Sequence, residues 1–369
     1  MTQLKTYIFI VLSFIIINGC EKSNDKPQEE FEHGILIYIG ANNNLHYDAI
    51  NTIEKIREGA KSLKKDQAIV VYAKTQSIST LLKITRSDNG VKIDTLKNFS
   101  SENSSNPNFL KGVVEITRNS VRAKKYGLVL WSHATSWIPP TNSKTKSFGS
   151  DDFQEMDIKD LKSALPGKWE YIMFDACSMA SIEVCYELKD IAKFILGSPA
   201  EVLSTSFPYD VILMDLFKGE EGLVRVCSKF MEYYRKQTGL YASATVSLIE
   251  TSQLSDIALH TQRLLQMKKP VEDFNRSKIQ SLDFDNIGDV PAYDFISFLK
   301  QNFEESEYGE LAHSIEKSIL FKDHTSEFFN FPIKEYCGLS IYLPEKNDPY
   351  LNYYKTLLWS GDSKWHQLF

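Results

Sequence analysis

The sequence contains few cysteines, and none of them stands in a pattern typical of a metal site. Five occur in 369 residues, without a CxxC pair or a Cys/His cluster, so a structural zinc site is not expected. The four that follow Cys20 are scattered through apolar surroundings, which argues against a disulfide framework. Internal repeats and long low-complexity tracts are also absent, which excludes a repeat array.

The sequence also lacks an excess of basic residues. It has 42 Lys and Arg against 48 Asp and Glu, a formal net charge of −6, and no basic patch with interleaved aromatic residues. Nucleic acid is therefore not an expected partner. The 43% hydrophobic and 24% charged content is that of a soluble globular protein. The length predicts one large domain with elaborations, or two closely packed subdomains.

One apolar run of appreciable length is present, and it lies at the amino terminus. A lysine precedes residues 7–17, which are apolar, and Gly19 and Cys20 follow. This pattern is typical of a secretory signal peptide, and Cys20 resembles the acylated cysteine of bacterial lipoproteins. A transmembrane anchor is the alternative, but the run is short for one. We predict a lipoprotein signal peptide at 1–19, a flexible tether at 20–33 and a lipid-anchored protein of the bacterial cell envelope, periplasmic or surface-exposed.

Two short apolar segments organise the rest of the chain. Residues 126–133 and 170–177 each suit a buried strand, and they end in His133 and Cys177. A polar loop and a helical stretch around 156–165 join them, which is the order of a parallel β-α-β unit. Carboxyl ends of neighbouring parallel strands share one rim, roughly 5 Å apart. The imidazole is therefore predicted to reach the thiol, as a cysteine nucleophile requires.

Other buried strands alternate with helices along the chain, which predicts an α/β fold. The strands are expected at 34–40, 68–73, 193–198, 244–249 and 338–343, with a hairpin around the turn Ser87–Gly90. We predict a core at 34–250 and a helical and strand subdomain at 251–369 packed on that core.

His133 and Cys177 each have a structural alternative when considered alone. A histidine at the end of a buried strand is more often a hydrogen-bonded structural residue, and a lone cysteine is more often a small buried hydrophobe. The pair favours catalysis because a crossover of suitable length joins the two residues. A helix predicted at 180–190 would also bring its positive amino terminus close to the thiol and favour the thiolate.

The same two segments resemble the catalytic motifs of a known family. Trp131-Ser-His133 and Phe174-Asp-Ala-Cys-Ser-Met179, with Glu183-Val184 after them, are similar to motifs of the clostripain family of cysteine peptidases, relatives of caspases, gingipains and legumain. Weaker similarities extend the resemblance from about residue 34 to the end of the chain, at 37–45, 206–210 and 338–342. The resemblance implies a caspase-like, mostly parallel central sheet flanked by helices.

The resemblance also implies a mechanism. Cys177 would attack the scissile carbonyl, His133 would protonate the leaving amine, and the backbone N–H groups of Cys177 and Ala134 would hold the oxyanion. The family has glycine where this chain has Ala134. Alanine keeps the N–H but lacks the freedom of glycine to adopt a positive φ. No third member of a triad is evident.

Substrate preference is a further implication of the resemblance. Asp175 would line a pocket for Arg or Lys, although a carboxylate hydrogen-bonded to neighbouring backbone is the alternative. Asp210 is predicted as a second pocket acid. Ser206 and Phe207 replace the glycine and tryptophan of the family's segment there, which affects the expected preference.

Relatives in the family cleave themselves between the histidine and cysteine segments. Lys144 and Lys146 lie in the polar loop at 139–150 and are the corresponding autoprocessing candidates, with an ordinary solvated loop as the alternative. Some relatives use calcium, but no acidic loop with calcium-ligand spacing is visible in the sequence. We predict no metal site and no required cofactor.

Two other functions remain open at the level of sequence. The chain could be a catalytically inactive lipoprotein that keeps the fold as a peptide-binding or assembly module, which Ala134 and the changed segment at 206–210 would favour. A binding module, however, needs neither His133 nor Cys177. A cysteine hydrolase acting on non-peptide acyl groups is the second alternative. The expected partners are a peptide or protein substrate and a membrane.

Overall fold

The computed structural model of this chain describes residues 30–76, 78–139, 147–152, 154–267, 275–284, 292–344 and 348–368. The predicted signal peptide, Cys20, most of the tether, Lys144 and Lys146 lie outside the described residues.

The strands are β1 (Glu30–Gly40), β2 (Gln67–Lys74), β3 (Ser79–Ser87), β4 (Gly90–Phe99), β5 (Arg122–Trp131), β6 (Phe148–Asp151), β7 (Gln154–Met156), β8 (Trp169–Asp175), β9 (Ala192–Gly197), β10 (Thr245–Glu250), β11 (Ala292–Asp294), β12 (Ile319–His324), β13 (Glu327–Phe328), β14 (Phe331–Pro332) and β15 (Ser340–Tyr342). The helices are α1 (His46–Ala60), α2 (Pro107–Ser120), α3 (Ile158–Ala164), α4 (Ile182–Leu188), α5 (Tyr209–Ile212), α6 (Gly219–Arg235), α7 (Leu254–Met267), α8 (Phe295–Asn302), α9 (Glu305–Ser318), α10 (Leu351–Tyr354) and α11 (Leu358–Ser363).

Within the described residues, nine strands form one central sheet in the order β12-β10-β9-β8-β5-β1-β2-β3-β4. The middle strands, from β9 to β2, run parallel to one another. Antiparallel strands extend this block at both ends, β10 and β12 on one side and β3 and β4 on the other. The predicted fold class, a mostly parallel central sheet flanked by helices, is confirmed.

The sheet separates two apolar clusters, one on each face. Side chains of a strand point alternately to opposite faces, and β1 shows this directly. Leu36 and Tyr38 pack in one cluster with residues of α2 and α3, whereas Ile37 and Ile39 pack in the other with residues of α1 and α6. The middle strands are therefore buried on both faces, which explains why they are continuous apolar runs in the sequence.

The hairpin predicted around Ser87–Gly90 is present. β3 and β4 pair antiparallel, and Ser87 lies opposite Gly90. Gly90 has a φ of 116°, a conformation that glycine adopts at little cost and other residues do not. The turn residues therefore match the backbone that this connection requires.

Residues beyond 250 pack directly against the core predicted at 34–250. β12 pairs with β10 and so extends the central sheet. The Glu183 side chain on α4 accepts hydrogen bonds from the Tyr342 N–H and the Tyr354 hydroxyl, each at 3.0 Å. The predicted boundary between the core and the carboxy-terminal subdomain, at residues 250 and 251, stays a prediction.

None of the described helices combines the length and apolar character that crossing a bilayer requires.

Candidate active site

The register of β5 and β8 brings the two predicted catalytic residues to one edge of the sheet. The strands are parallel neighbours, and their last paired positions are Trp131 and Asp175. His133 and Cys177 each follow two residues later, so both lie at the carboxyl rim. The two residues line the same cavity, whose volume is about 310 Å³.

The cavity is also lined by residues that were not among the predicted site residues. One wall follows β9, a second comes from the turn after β1, and a third comes from the β13–β14 connection. The lining residues from these parts are Leu45, Glu201, Val202, Leu203, Ser204, Ser206 and Phe329. The signal available in the sequence was topological, because a segment that follows a parallel strand opens onto the same rim as the ends of its neighbours.

Cys177 is the half-buried thiol of this cavity. Its Sγ accepts a hydrogen bond from the Val202 N–H at 3.4 Å. The other described thiols, Cys185, Cys227 and Cys337, are buried away from the cavity, and burial raises the pKa of each. A buried thiol with a raised pKa is a poor nucleophile. No disulfide joins the described cysteines.

The helix predicted at 180–190 is shorter than expected and begins farther from the thiol. α4 starts at Ile182, with Ser181 as its N-cap, and Ser178 has a φ of 60° that interrupts any earlier helical turn. The helix dipole acts mainly within its first turn. Stabilisation of a Cys177 thiolate by this helix is therefore not supported, and the Val202 N–H is the donor that contacts the sulfur.

His133 makes contacts through both its ring and its backbone. Its Nε2 lies 2.7 Å from Oδ1 of Asn44, and its backbone carbonyl accepts a hydrogen bond from the Gly149 N–H at 2.9 Å. Sequence reasoning missed Asn44. The available signal was the run of three asparagines after β1, since β1 is the neighbour of β5 and its end lies at the same rim.

Ala134 occupies its position without unusual backbone geometry. Its side chain is buried, and the residue forms an isolated antiparallel bridge with Phe148. Among the described non-glycine residues in or beside the cavity, positive φ values occur at Ser136, Ser178, Ser206 and Phe329, but not at Ala134. A glycine is therefore not needed here on conformational grounds.

Asp175 lines the cavity and is also held by neighbouring groups. It is 4% exposed. Its Oδ2 accepts hydrogen bonds from the Ser206 hydroxyl, from the Phe207 N–H at 3.3 Å and from the Tyr209 hydroxyl at 2.9 Å. Burial raises its pKa to about 6, although these hydrogen bonds oppose the change. All three donors reach one oxygen, and Oδ1 accepts no hydrogen bond from a described residue.

Ser206 explains how Asp175 is held. Its φ is 67°, a conformation in which glycine is favoured, and a serine there carries a cost of roughly 1–2 kcal/mol. The hydroxyl compensates by accepting a hydrogen bond from Trp131 Nε1 at 2.9 Å and donating one to Asp175. Asp210, by contrast, is exposed in the first turn of α5 and does not line the cavity. The structure does not bring it to Asp175.

The described part of the chain contains no group of three or more His, Cys, Asp or Glu side chains that could hold a metal ion. The expectation that no cofactor is required stays a prediction.

A thiol and an imidazole on adjacent strand ends, opening into a shared cavity, are the reactive groups of a cysteine protease of the α/β class. The sequence model of the clostripain family matches residues 37–369. The chain therefore belongs to the clostripain family, and it is a cysteine protease of that family.

Solved structures are similar to the chain over nearly its whole length. One is a secreted C11 cysteine protease from Bacteroides thetaiotaomicron in complex with an irreversible peptide inhibitor, with a TM-score of 0.81 and 24% identity, covering 91% of this chain and 99% of that one. Another is an inactive zymogen C11 protease from Parabacteroides distasonis, with a TM-score of 0.79 and 29% identity, covering 90% and 98%. No curated protein matches the chain.

Proposed function

We propose that this protease is an endopeptidase that uses Cys177 and His133 as a catalytic dyad. The observation that carries the proposal is the placement of both residues on one cavity, two positions beyond the paired Trp131 and Asp175. The Cys177 sulfur attacks the scissile carbonyl carbon, and the amine leaves with a proton from His133. Water then hydrolyses the remaining thioester and regenerates the thiol.

The oxyanion formed during attack is proposed to bind the backbone N–H groups of Cys177 and Ala134. Oriented backbone donors stabilise such an oxyanion strongly because they need no rearrangement as the charge develops. The absence of a positive φ at Ala134 supports this assignment. It also weakens one of the two arguments for a catalytically inactive binding module, the one that depended on alanine being unsuitable at this position; the changed segment at 206–210 is the other.

The proposed substrate carries a basic side chain before the cleaved bond, and Lys fits better than Arg. Asp175 is the buried acid of the cavity, and three protein donors already occupy its Oδ2. A guanidinium pairs best with both oxygens of a carboxylate, whereas an ammonium is a point charge that one oxygen can bind. The remaining oxygen, Oδ1, therefore favours an ammonium.

The experiment that tests this function uses fluorogenic peptides that differ only in the residue before the cleaved bond. We expect the mature protein to cleave the Lys peptide faster than the Arg peptide, and to leave peptides with Leu or Asp at that position largely uncut. Failure to cleave any of them, together with no labelling of Cys177 by a thiol-reactive peptide electrophile, would refute the endopeptidase assignment.

Asp175→Asn is expected to lower kcat/KM for the Lys peptide by roughly 10- to 100-fold, since a hydrogen bond to a charged group contributes about 1.5–3 kcal/mol. The pKa of Asp175 is raised to about 6 by burial, and the cation pairs with the carboxylate, which forms above that pH. Cleavage of the Lys peptide should therefore rise as pH increases through about 6. This inflection should be absent from the pH profile of the variant.

Asp210→Asn is the matched control for that substitution. Asp210 is exposed on α5, so the same chemical change there should leave both the rate and the pH profile unaltered. A large loss of Lys cleavage in Asp210→Asn would instead assign the pocket acid to Asp210.

Two processing steps are proposed outside the described residues. Cleavage after Lys144 or Lys146 would separate the histidine and cysteine segments, and acylation of Cys20 would anchor the mature protein to the cell envelope. Intact mass measured on protein extracted from bacterial membranes tests both steps. Two chains cut after one of these lysines, with added lipid mass on a chain that begins at Cys20, are expected. A single unmodified chain in active enzyme would contradict both.

A further inference from the structure

We infer that Asn44 is a positioning residue that fixes the tautomer and orientation of His133. The inference extends the proposed dyad mechanism and rests on it for its kinetic consequences. Asn44 Oδ1 lies 2.7 Å from His133 Nε2. In this arrangement the amide oxygen accepts the hydrogen bond and Nε2 donates it, which favours the tautomer with the proton on Nε2. In that tautomer Nδ1 carries no proton, so it is the nitrogen that takes a proton from the thiol and passes it to the leaving amine.

The turn that carries Asn44 is held in place by hydrogen bonds from the two preceding residues, Asn42 and Asn43. Asn42 Nδ2 donates to Asp151 Oδ1 at 2.6 Å, and Asn43 Nδ2 donates to the Ser150 carbonyl at 2.7 Å. Asn43 also accepts a hydrogen bond from the Leu45 N–H at 2.9 Å. Asparagine side chains commonly stabilise a turn by bonding to backbone two residues ahead. Asn42 and Asn43 therefore stabilise the turn, and Asn44 contacts His133.

One short strand connects this turn to His133. β6 contributes three consecutive contacts: the Gly149 N–H donates to the His133 carbonyl, the Ser150 carbonyl accepts from Asn43, and the Asp151 side chain accepts from Asn42. The His133 backbone and the two asparagines that precede Asn44 are thus held by the same strand. The distance between His133 and Asn44 is therefore set by contacts with β6 as well as by the conformation of the turn.

Asp151, the last residue of β6, belongs to a buried ionic cluster. Asp151 Oδ2 bonds to Lys74 Nζ at 2.7 Å, to the Ser104 N–H at 2.5 Å and to the Ser104 hydroxyl at 2.8 Å. The side chains of Lys74 and Asp151 are 4% and 1% exposed. A hydrogen-bonded buried pair of this kind has little freedom to move. The backbone turn that carries Asn44 is therefore held in place before substrate binds, which lowers the entropic cost of reaching the transition state.

The test compares wild type with Asn44→Ala, which removes the acceptor, and Asn44→Asp, which keeps one. Asn44→Ala should lower kcat by about 10-fold or more with KM for the Lys peptide changed less than about 3-fold, because the residue acts on proton transfer and not on binding. Asn44→Asp should recover much of the rate. It should also shift the histidine-dependent limb of the pH profile to higher pH, since a carboxylate stabilises imidazolium.

Asn98→Ala is the matched control. Asn98 is exposed on β4 and accepts a hydrogen bond from Thr80 at 3.2 Å, so its loss removes a similar contact away from the cavity. A purely structural role for Asn44 would lower the unfolding midpoint without changing the pH profile, and that result would overturn the inference. Equal rates for Asn44→Ala and wild type would overturn it as well.

A second readout separates this inference from the peptidase assignment. The pH dependence of Cys177 alkylation by iodoacetamide needs no peptide turnover. A changed alkylation profile in Asn44→Ala supports the positioning role even if no test peptide is cleaved. An unchanged profile overturns the positioning role even if cleavage of peptides is readily measured.

Discussion

Replacing Cys177 by Ala should lower kcat/KM for the Lys peptide by at least about 10³-fold, because no other group can form the acyl-enzyme. The structure favours this residue over the other described thiols. Cys177 is half-buried in the cavity and contacts the Val202 N–H, whereas Cys185, Cys227 and Cys337 are buried with raised pKa values. Initial rates on purified variants of equal folded fraction provide the measurement.

Cys227→Ala is the matched control for this substitution. Cys227 is buried in α6, so the same change there should cost some stability but little activity. His133→Ala should resemble Cys177→Ala in rate while leaving the thiol available for slow alkylation. If Cys177→Ala retained more than about a tenth of the wild-type rate, the nucleophile would have to be sought elsewhere.

The location of the catalytic pair was predictable because it depends on local patterns. The two apolar runs ending in His133 and Cys177 identify buried strands, and the helical stretch between them identifies a parallel crossover. These features place both residues at one rim without knowledge of any other part of the chain. The observed register, with Trp131 opposite Asp175, is the geometry that this reasoning requires.

The groups that orient the pair were not predictable in the same way, because they come from distant parts of the sequence. Asn44 is 89 residues from His133, and Phe329 reaches the cavity from the β13–β14 connection. The state of Asp175 depends on the backbone of Ser206, whose positive φ directs a hydroxyl onto the carboxylate. No periodicity or spacing in the sequence encodes such a contact.

The buried pair of Lys74 and Asp151, which holds the asparagine turn, should contribute strongly to stability. Lys74→Met removes the cation that pairs with Asp151 at 2.7 Å, and both side chains are nearly inaccessible to solvent. Leaving one charge of a buried pair without its partner costs about 3–5 kcal/mol. We expect a loss of that size in the free energy of unfolding measured by urea at pH 7, and with it a less firmly held Asn44.

The dependence of this loss on pH identifies its electrostatic origin. Burial alone would raise the pKa of Asp151, but hydrogen bonds from Lys74, Asn42 and Ser104 outweigh it and lower the pKa. A carboxylate with a lowered folded-state pKa contributes stability above its unfolded-state pKa, and this contribution disappears as pH falls through the folded-state value. The difference in the free energy of unfolding between wild type and Lys74→Met should therefore become smaller at acidic pH.

Lys65→Met is the control for this substitution. Lys65 and Asp88 form an exposed ion pair whose side chains are 72% and 87% accessible, and such a pair contributes about 0–1 kcal/mol. Equal losses in the two variants, or a loss in Lys74→Met that does not change with pH, would show that Lys74 contributes through packing of its aliphatic chain and not through its charge.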